Sequence, residues 1–162
     1  MQTGKLLAAK SQHTYVLKLV GDVRLTLCCT LDGLFEQIFG DREIHSIVVD
    51  LTLADNVDST TLGLLAKIAI KAKSEGLMQP SIISSNPDIT YLLNSMGFAQ
   101  YFLMMEHPAT RIEELREVPQ LAGSEARIHQ QVLEAHRTLM SMNEQNKEIF
   151  QSVVHALENC PQ

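Results

Sequence analysis

Ile47-Val-Val-Asp-Leu51 is followed at a short distance by Asn56-Val-Asp-Ser-Thr-Thr-Leu-Gly-Leu-Leu65. The first run is short, apolar and largely β-branched, the pattern of a strand covered on both faces. The second opens with small polar residues and turns into an apolar run with helical spacing. The two together predict a strand over 44–51, a loop carrying Asp50, Asp55 and Asp58, and a helix from Ser59 to Glu75. That helix sets Leu62, Leu65, Ile68, Ala69 and Ala72 along one stripe. A small hydroxyl therefore stands at a helix N-terminus among carboxylates, at the edge of a sheet.

Working outward, residues 5–9 and 14–20 read as two strands joined by the polar turn Lys10-Ser-Gln-His13. Tyr15, Leu17 and Leu19 alternate with Thr14 and Lys18 in a near period of two, and Gly21-Asp22 ends the strand. From Thr26 to Phe39, Leu27, Leu31, Leu34, Phe35 and Ile38 recur at three and four, so a helix is expected, closed by Gly40. Pro80–Ser84 is a further strand. Asn86 caps a helix with Pro87 in its first position, and Gly97 stops it. Tyr101–Met105 is the last short strand. Strands alternating with helices predict an α/β fold, with the opening hairpin making the sheet mixed.

This block ends near residue 106. Residues 107–123 carry Pro108, Pro119 and Gly123 and read as a linker with one or two helical turns around Arg111–Glu117. Ser124 then caps a helix expected to run unbroken to about Glu158, as an extension over 124–162. Ile128, Val132, Ala135, Leu139, Met142, Asn146, Ile149, Val153 and Ala156 are spaced alternately by four and three, a heptad seam. Asn146 is its one polar member, placed where a buried Asn fixes register or oligomer state. The helix has three readings: folding back on its own domain, self-association as a homodimer through Val132, Leu139, Met142, Asn146, Ile149 and Val153, or docking another protein. His129 and His136, seven apart, lack the spacing of a metal pair and read as solvated.

The 162 residues are 45% hydrophobic and 20% charged, with a net charge of −6. This acidic balance argues against nucleic acid and against an anionic membrane surface, and points to a protein partner. No run is long enough for membrane insertion and no secretory leader is recognised, so a cytoplasmic location is expected. Cys28, Cys29 and Cys160 fit neither a disulfide framework nor a zinc spacing, and the adjacent pair reads as buried structural thiols. No metal or cofactor is implied.

Two readings of Ser59 follow from the residues: a local helix cap, or a hydroxyl that accepts a phosphoryl group where the helix dipole tolerates added negative charge. The stretch Ile47–Leu51, then Val57-Asp-Ser-Thr-Thr-Leu-Gly-Leu-Leu65, resembles the signature of the STAS family, the bacterial anti-sigma factor antagonists. Asn86-Pro-Asp-Ile-Thr-Tyr-Leu-Leu-Asn-Ser-Met-Gly-Phe98 resembles that family's third helix and its closing turn. The resemblance covers residues 5–106. It implies a small mixed sheet with helices on one side, and a partner switch controlled by phosphorylation. The unphosphorylated protein would bind an anti-sigma factor or an equivalent regulatory protein, a serine kinase would abolish that binding, and a Ser/Thr phosphatase would restore it. The phosphoacceptor maps onto Ser59, with Thr60 and Thr61 as lesser candidates. Asp50, Asp55, Asn56, Asp58, Ser59, Thr60 and Thr61 form the expected partner-binding surface. The pattern departs at Thr61, where the family usually has the Gly that lets a partner's backbone come close.

Two other classes compete. A constitutive STAS scaffold subunit of a transport or signalling complex would use the same loop as a static interface. An enzyme with Ser59 as nucleophile would need His13 or His45 as base, and no Gly-x-Ser-x-Gly elbow is present, so no catalysis is expected.

Overall fold

A computed structural model describes residues 2–108 and 114–160. The sheet contains β1 (Lys5–Ser11), β2 (Thr14–Val23), β3 (Ser46–Val57), β4 (Ser81–Ile83), β5 (Leu103–Met105) and β6 (Arg116–Glu117). Their order is β5-β4-β3-β2-β1-β6. β2, β3, β4 and β5 run parallel; β1 is antiparallel to both of its neighbours. The helices are α1 (Cys28–Gly40), α2 (Ser59–Ser74), α3 (Pro87–Ser95), α4 (Glu125–Met142) and α5 (Glu144–Glu158). This is the mixed α/β sheet that the alternating pattern predicts.

The alternation in β2 and β3 sorts the two faces. Leu17, Leu19, Ile47, Val49 and Leu51 are all within 1% of full burial and join Leu31, Leu34, Leu62, Leu65, Ile68, Ile89 and Leu93 from the helices in one core. The opposite face carries Lys18 and Asp50, paired at 3.6 Å. α3 begins as the sequence predicts, with Asn86 Oδ1 accepting from the Asp88 amide and Pro87 in the first turn. Gly97 follows it in the left-handed region, φ 86°.

Four expectations are corrected. β2 does not stop at Gly21-Asp22 but continues to Val23. Gly21 (φ 78°) serves instead to admit residues 2 and 3 beside the strand: a Cβ there would lie 2.7 Å from the Gln2 carbonyl oxygen. β3 runs to Val57 rather than Leu51, because its main-chain pairing with β2 continues through two register shifts to Val23↔Val57. Arg116 and Glu117, placed in helical turns by the sequence reading, instead pair with Ala8 and Leu7 on β1; residues 111–113 of that expected helix lie outside the described residues.

The fourth correction concerns the C-terminus. The expected single helix is two, broken at Asn143. This residue is extended (φ −164°, ψ 167°), and its side chain caps α5 by accepting from the Asn146 amide at 2.8 Å. The chain folds back there, placing Phe150 of α5 against His136 of α4, with ring centroids 5.4 Å apart. The heptad seam is thereby divided. Leu139, Met142 and Asn146 are buried inside the protomer and Val132 is half-buried, whereas Ile149 and Val153 are exposed. These six residues do not form one continuous face. α4 packs across α2 and against α1, with Glu134 paired to Lys67 at 3.1 Å and Arg127 to Asp32 at 3.4 Å.

Candidate functional site

Ser59 is the first residue of α2, directly after the turn at the end of β3. Asp58 is the N-cap: its Oδ1 accepts from the Thr61 amide at 2.9 Å and from the Thr61 hydroxyl at 2.8 Å. Its Oδ2 accepts from the Leu25 amide at 2.7 Å. One carboxylate thus ties the start of α2 to the end of β2. Because Asp58 performs the cap, the Ser59 hydroxyl is not needed for it.

The neighbouring hydroxyls differ in access. Thr60 and Thr61 are each 3% exposed, and Ser59 is half-buried. Thr61 points into the protein and bonds Asp58, so its methyl group does not occupy an outer surface. The close backbone approach anticipated at position 61 occurs further along the helix, at Gly63, and the chain itself makes it. A Cβ on Gly63 would lie 2.6 Å from the carbonyl carbon of Ala135 on α4.

The expected acidic loop is assembled differently. Asp50 lies within β3 on the sheet face away from the helices, bound to the Thr52 amide and hydroxyl at 2.8 and 2.7 Å. It is not beside Ser59. Asp55 and Asn56 are exposed in the last residues of β3. Asn56 Nδ2 donates to Asp22 at 3.2 Å, and Asp22 also accepts from Arg24 Nε at 2.7 Å. Asp22, only a strand end in the sequence reading, therefore joins the carboxylates at this end of the sheet.

His136 is the site residue that sequence reasoning misses, since the spacing reads it as solvated. It is 5% exposed, and its Nε2 lies 2.8 Å from Ser59 Oγ, across 77 positions of sequence. Its Nδ1 lies 2.7 Å from the Val132 carbonyl oxygen, one turn back on α4. The available signal is its place beside Ala135 on the flank of the seam. His13 and His45, considered as bases for Ser59, stack on each other with ring centroids 4.6 Å apart. They sit before β3, so the strand separates them from Ser59 by roughly 35 Å.

Around Ser59, then, are a carboxylate engaged as a cap, an exposed acidic rim and an imidazole from the C-terminal helix pair. The helix N-terminus favours an anion, while the carboxylates make any added phosphate part of a strongly negative surface. No helix among the described residues is long and apolar enough to cross a membrane.

No family model matches the chain, and no curated protein matches it. Solved structures do. An anti-sigma factor antagonist from Mycobacterium paratuberculosis matches with a TM-score of 0.54 at 16% identity, covering 65% of this chain and 87% of that one. The anti-sigma factor antagonist SpoIIAA in its unphosphorylated form matches at 0.54 and 13% identity, over 65% of this chain and 90% of that one. The Bacillus cell fate determinant SpoIIAA in the phosphorylated form matches at 0.52 and 11% identity, over 65% and 93%. The chain has the fold of the anti-sigma factor antagonists, a STAS-like mixed sheet with helices packed on it, followed by α4 and α5.

Proposed function

We propose that this chain is a phosphorylation-controlled partner-switching regulator of the cytoplasm. It binds an anti-sigma factor or a similar regulatory protein while Ser59 is unphosphorylated and releases it once a serine kinase has modified Ser59; a Ser/Thr phosphatase resets it. One observation carries the reading: the half-buried Ser59 hydroxyl opens α2 while Asp58 holds the cap, beside the exposed Asp55 and Asn56. Ser59 is thus a hydroxyl that can be modified without unmaking the helix start. A phosphate there adds nearly two negative charges to a surface already carrying Asp22, Asp55 and Asp58, and a partner matched to the neutral hydroxyl loses its fit. The burial of Thr60 and Thr61 favours Ser59 over both as acceptor.

The alternative is a constitutive scaffold, favoured by one contact: Ser59 already has a hydrogen-bond partner inside the protomer, His136. Pull-downs from the native cell with wild type, Ser59→Ala and Ser59→Asp distinguish the two. The switch predicts a regulatory partner retained by Ser59→Ala and lost by Ser59→Asp, with phosphate on residue 59 of the wild type. Identical partners for all three baits and no phosphate on residues 59–61 would leave the scaffold.

A further inference from the structure

We propose that the helix pair α4–α5 reads the state of Ser59 from within the molecule. It is docked on α2 while Ser59 carries its hydroxyl and is displaced when Ser59 carries a phosphate. The inference rests on the reading of Ser59 as a phosphoacceptor and identifies what that modification moves.

The hydrogen-bond chain fixes the polarity of the contact. The Val132 carbonyl oxygen only accepts, so His136 Nδ1, 2.7 Å away, carries a hydrogen. In the neutral imidazole, Nε2 is then left with its lone pair, and the Ser59 hydroxyl donates to it across 2.8 Å. Phosphoryl transfer from a nucleoside triphosphate forms the Oγ–P bond, breaks the bond to the departing nucleoside diphosphate and releases the hydroxyl proton. The donor that His136 uses is gone. A phosphoryl group bearing nearly two negative charges stands in its place, and the 2.8 Å between Oγ and Nε2 has no room for it while the ring, 5% exposed, stays where it is. The ring, and the close-packed helix that carries it, must move away.

The dock is built to separate as a unit. At Gly63 the two helix backbones touch, so no side chain lies between them to rearrange and take up a displacement. Two buried side-chain acceptors, Gln131 Oε1 and Asn146 Oδ1, have no hydrogen-bond partner among the described residues. Both belong to α4–α5, and release into water would satisfy both. Opposing release are Leu133, Leu139 and Phe150, whose burial holds the pair down in the unmodified state. Phosphate on Ser59 acts against that balance at the one polar contact linking the acceptor hydroxyl to α4.

The test uses the full chain with phosphoserine installed at position 59 by genetic-code expansion, compared with unmodified protein by amide hydrogen exchange. Amides across 125–158 are expected to exchange at least tenfold faster, with β2 and β3 unchanged. In the His136→Ala variant no ring stands against Ser59 Oγ, and the acceleration that phosphate causes, measured against the unmodified form of the same variant, is expected to shrink several-fold. Unchanged or slower exchange over 125–142 on phosphorylation overturns the proposal; so does acceleration spread equally over β2 and β3. Because the phosphate is installed directly, the result is independent of any kinase. Protein from the native cell that lacks phosphate, alongside α4 release on installed phosphoserine, counts against the switch reading alone.

Discussion

The backbone of Ala135 on α4 rests directly on Gly63 of α2, leaving no room for a side chain: an added Cβ would fall 2.6 Å from the Ala135 carbonyl carbon and 2.7 Å from its Cα. An exposed glycine inside a helix gains about 1 kcal/mol on change to alanine. Here overpacking, about 1–3 kcal/mol, works in the other direction, and because the opposing atoms are backbone the whole of α4 must shift. Gly63→Ala is therefore expected to lower stability by about 1–2 kcal/mol, which for a domain of this size is a fall in Tm of about 2–8 °C. Calorimetry checks it. A rise in Tm would mean that α4 does not lie on this face in solution.

Asp58 supports three contacts with two oxygens, and this predicts a graded series. Asp58→Ala removes the cap from the Thr61 amide and the acceptor from the Leu25 amide, and is expected to cost about 0.5–2 kcal/mol, the usual range for loss of a helix cap. Asp58→Asn keeps one acceptor oxygen and gives up the other, so it should fall between wild type and Asp58→Ala. Urea unfolding of the three proteins provides the ranking. Equal stability of Asp58→Ala and wild type would show that the cap holds nothing together.

The α/β order was legible because its signals are local. Asn86-Pro87 is a helix start in any context, and Leu17, Leu19, Ile47 and Val49 show their inward face by composition alone. What escaped depends on contacts between distant segments. The final residues of β3 include polar Asp55 and Asn56 and exposed Leu53, so only main-chain pairing with β2 identifies them as strand. Asn143 breaks the C-terminal helix without Gly or Pro. The heptad spacing passes through it undisturbed, and its capping role shows only once the fold-back of α5 onto α4 is known. His136 is polar, and nothing in its neighbours reveals that Ser59 lies opposite. The site was therefore half legible: Asp55, Asp58 and Ser59 could be placed along the chain, whereas Asp22 and the imidazole that meets Ser59 could not, and Asp50 lies elsewhere.

Asn146 is fully buried, and its Nδ2 donates to the Met96 carbonyl at 2.9 Å, joining α5 to the end of α3. The seam reading gives this residue the task of setting register between two copies; in the structure it sets register within one. Asn146→Ala is expected to cost about 1–3 kcal/mol through the lost hydrogen bond to Met96, whose carbonyl keeps only the longer 3.4 Å contact from Asn143 Nδ2, and through the space left behind. Asn146→Asp should cost more, since it places a carboxylate against a carbonyl oxygen in a site closed to water. Thermal melts at neutral pH give the order, and a smaller loss for Asn146→Asp than for Asn146→Ala would contradict the burial.

The adjacent thiols give a chemical check on the packing of α1. Burial pushes the Cys28 thiol up to about 12, with the neighbouring Cys29 adding to the shift. At neutral pH Cys28 is therefore protonated, and both thiols are 2% exposed, while Cys160 is exposed. The reactive species is the thiolate. Iodoacetamide at pH 7.5 is expected to label Cys160 in the native protein and to reach Cys28 and Cys29 only after denaturation. Intact-mass measurement counts the additions; rapid labelling at three positions without denaturant would show α1 open to solvent.

The ion pair between α4 and α2 predicts an acid-sensitive dock. The Gln130 side-chain amide hydrogen-bonded to Glu134, together with the Lys67 ammonium at 3.1 Å, holds the Glu134 carboxyl below the ordinary glutamate range. A carboxyl whose value is lower folded than unfolded contributes stability above its unfolded value and loses it as the pH falls through the folded one. Glu134 should therefore support docking of α4 at pH 7 and stop doing so at acid pH, below the ordinary glutamate range. The pair is about one-third exposed, so its contribution at pH 7 is under about 1 kcal/mol and weakens with salt. Glu134→Gln should be less stable than wild type at pH 7 in low salt, and the difference should close on acidification and in 1 M salt. Denaturant unfolding of the two proteins across that range measures it. A difference that persists unchanged to acid pH would assign the effect of the substitution to packing rather than to charge.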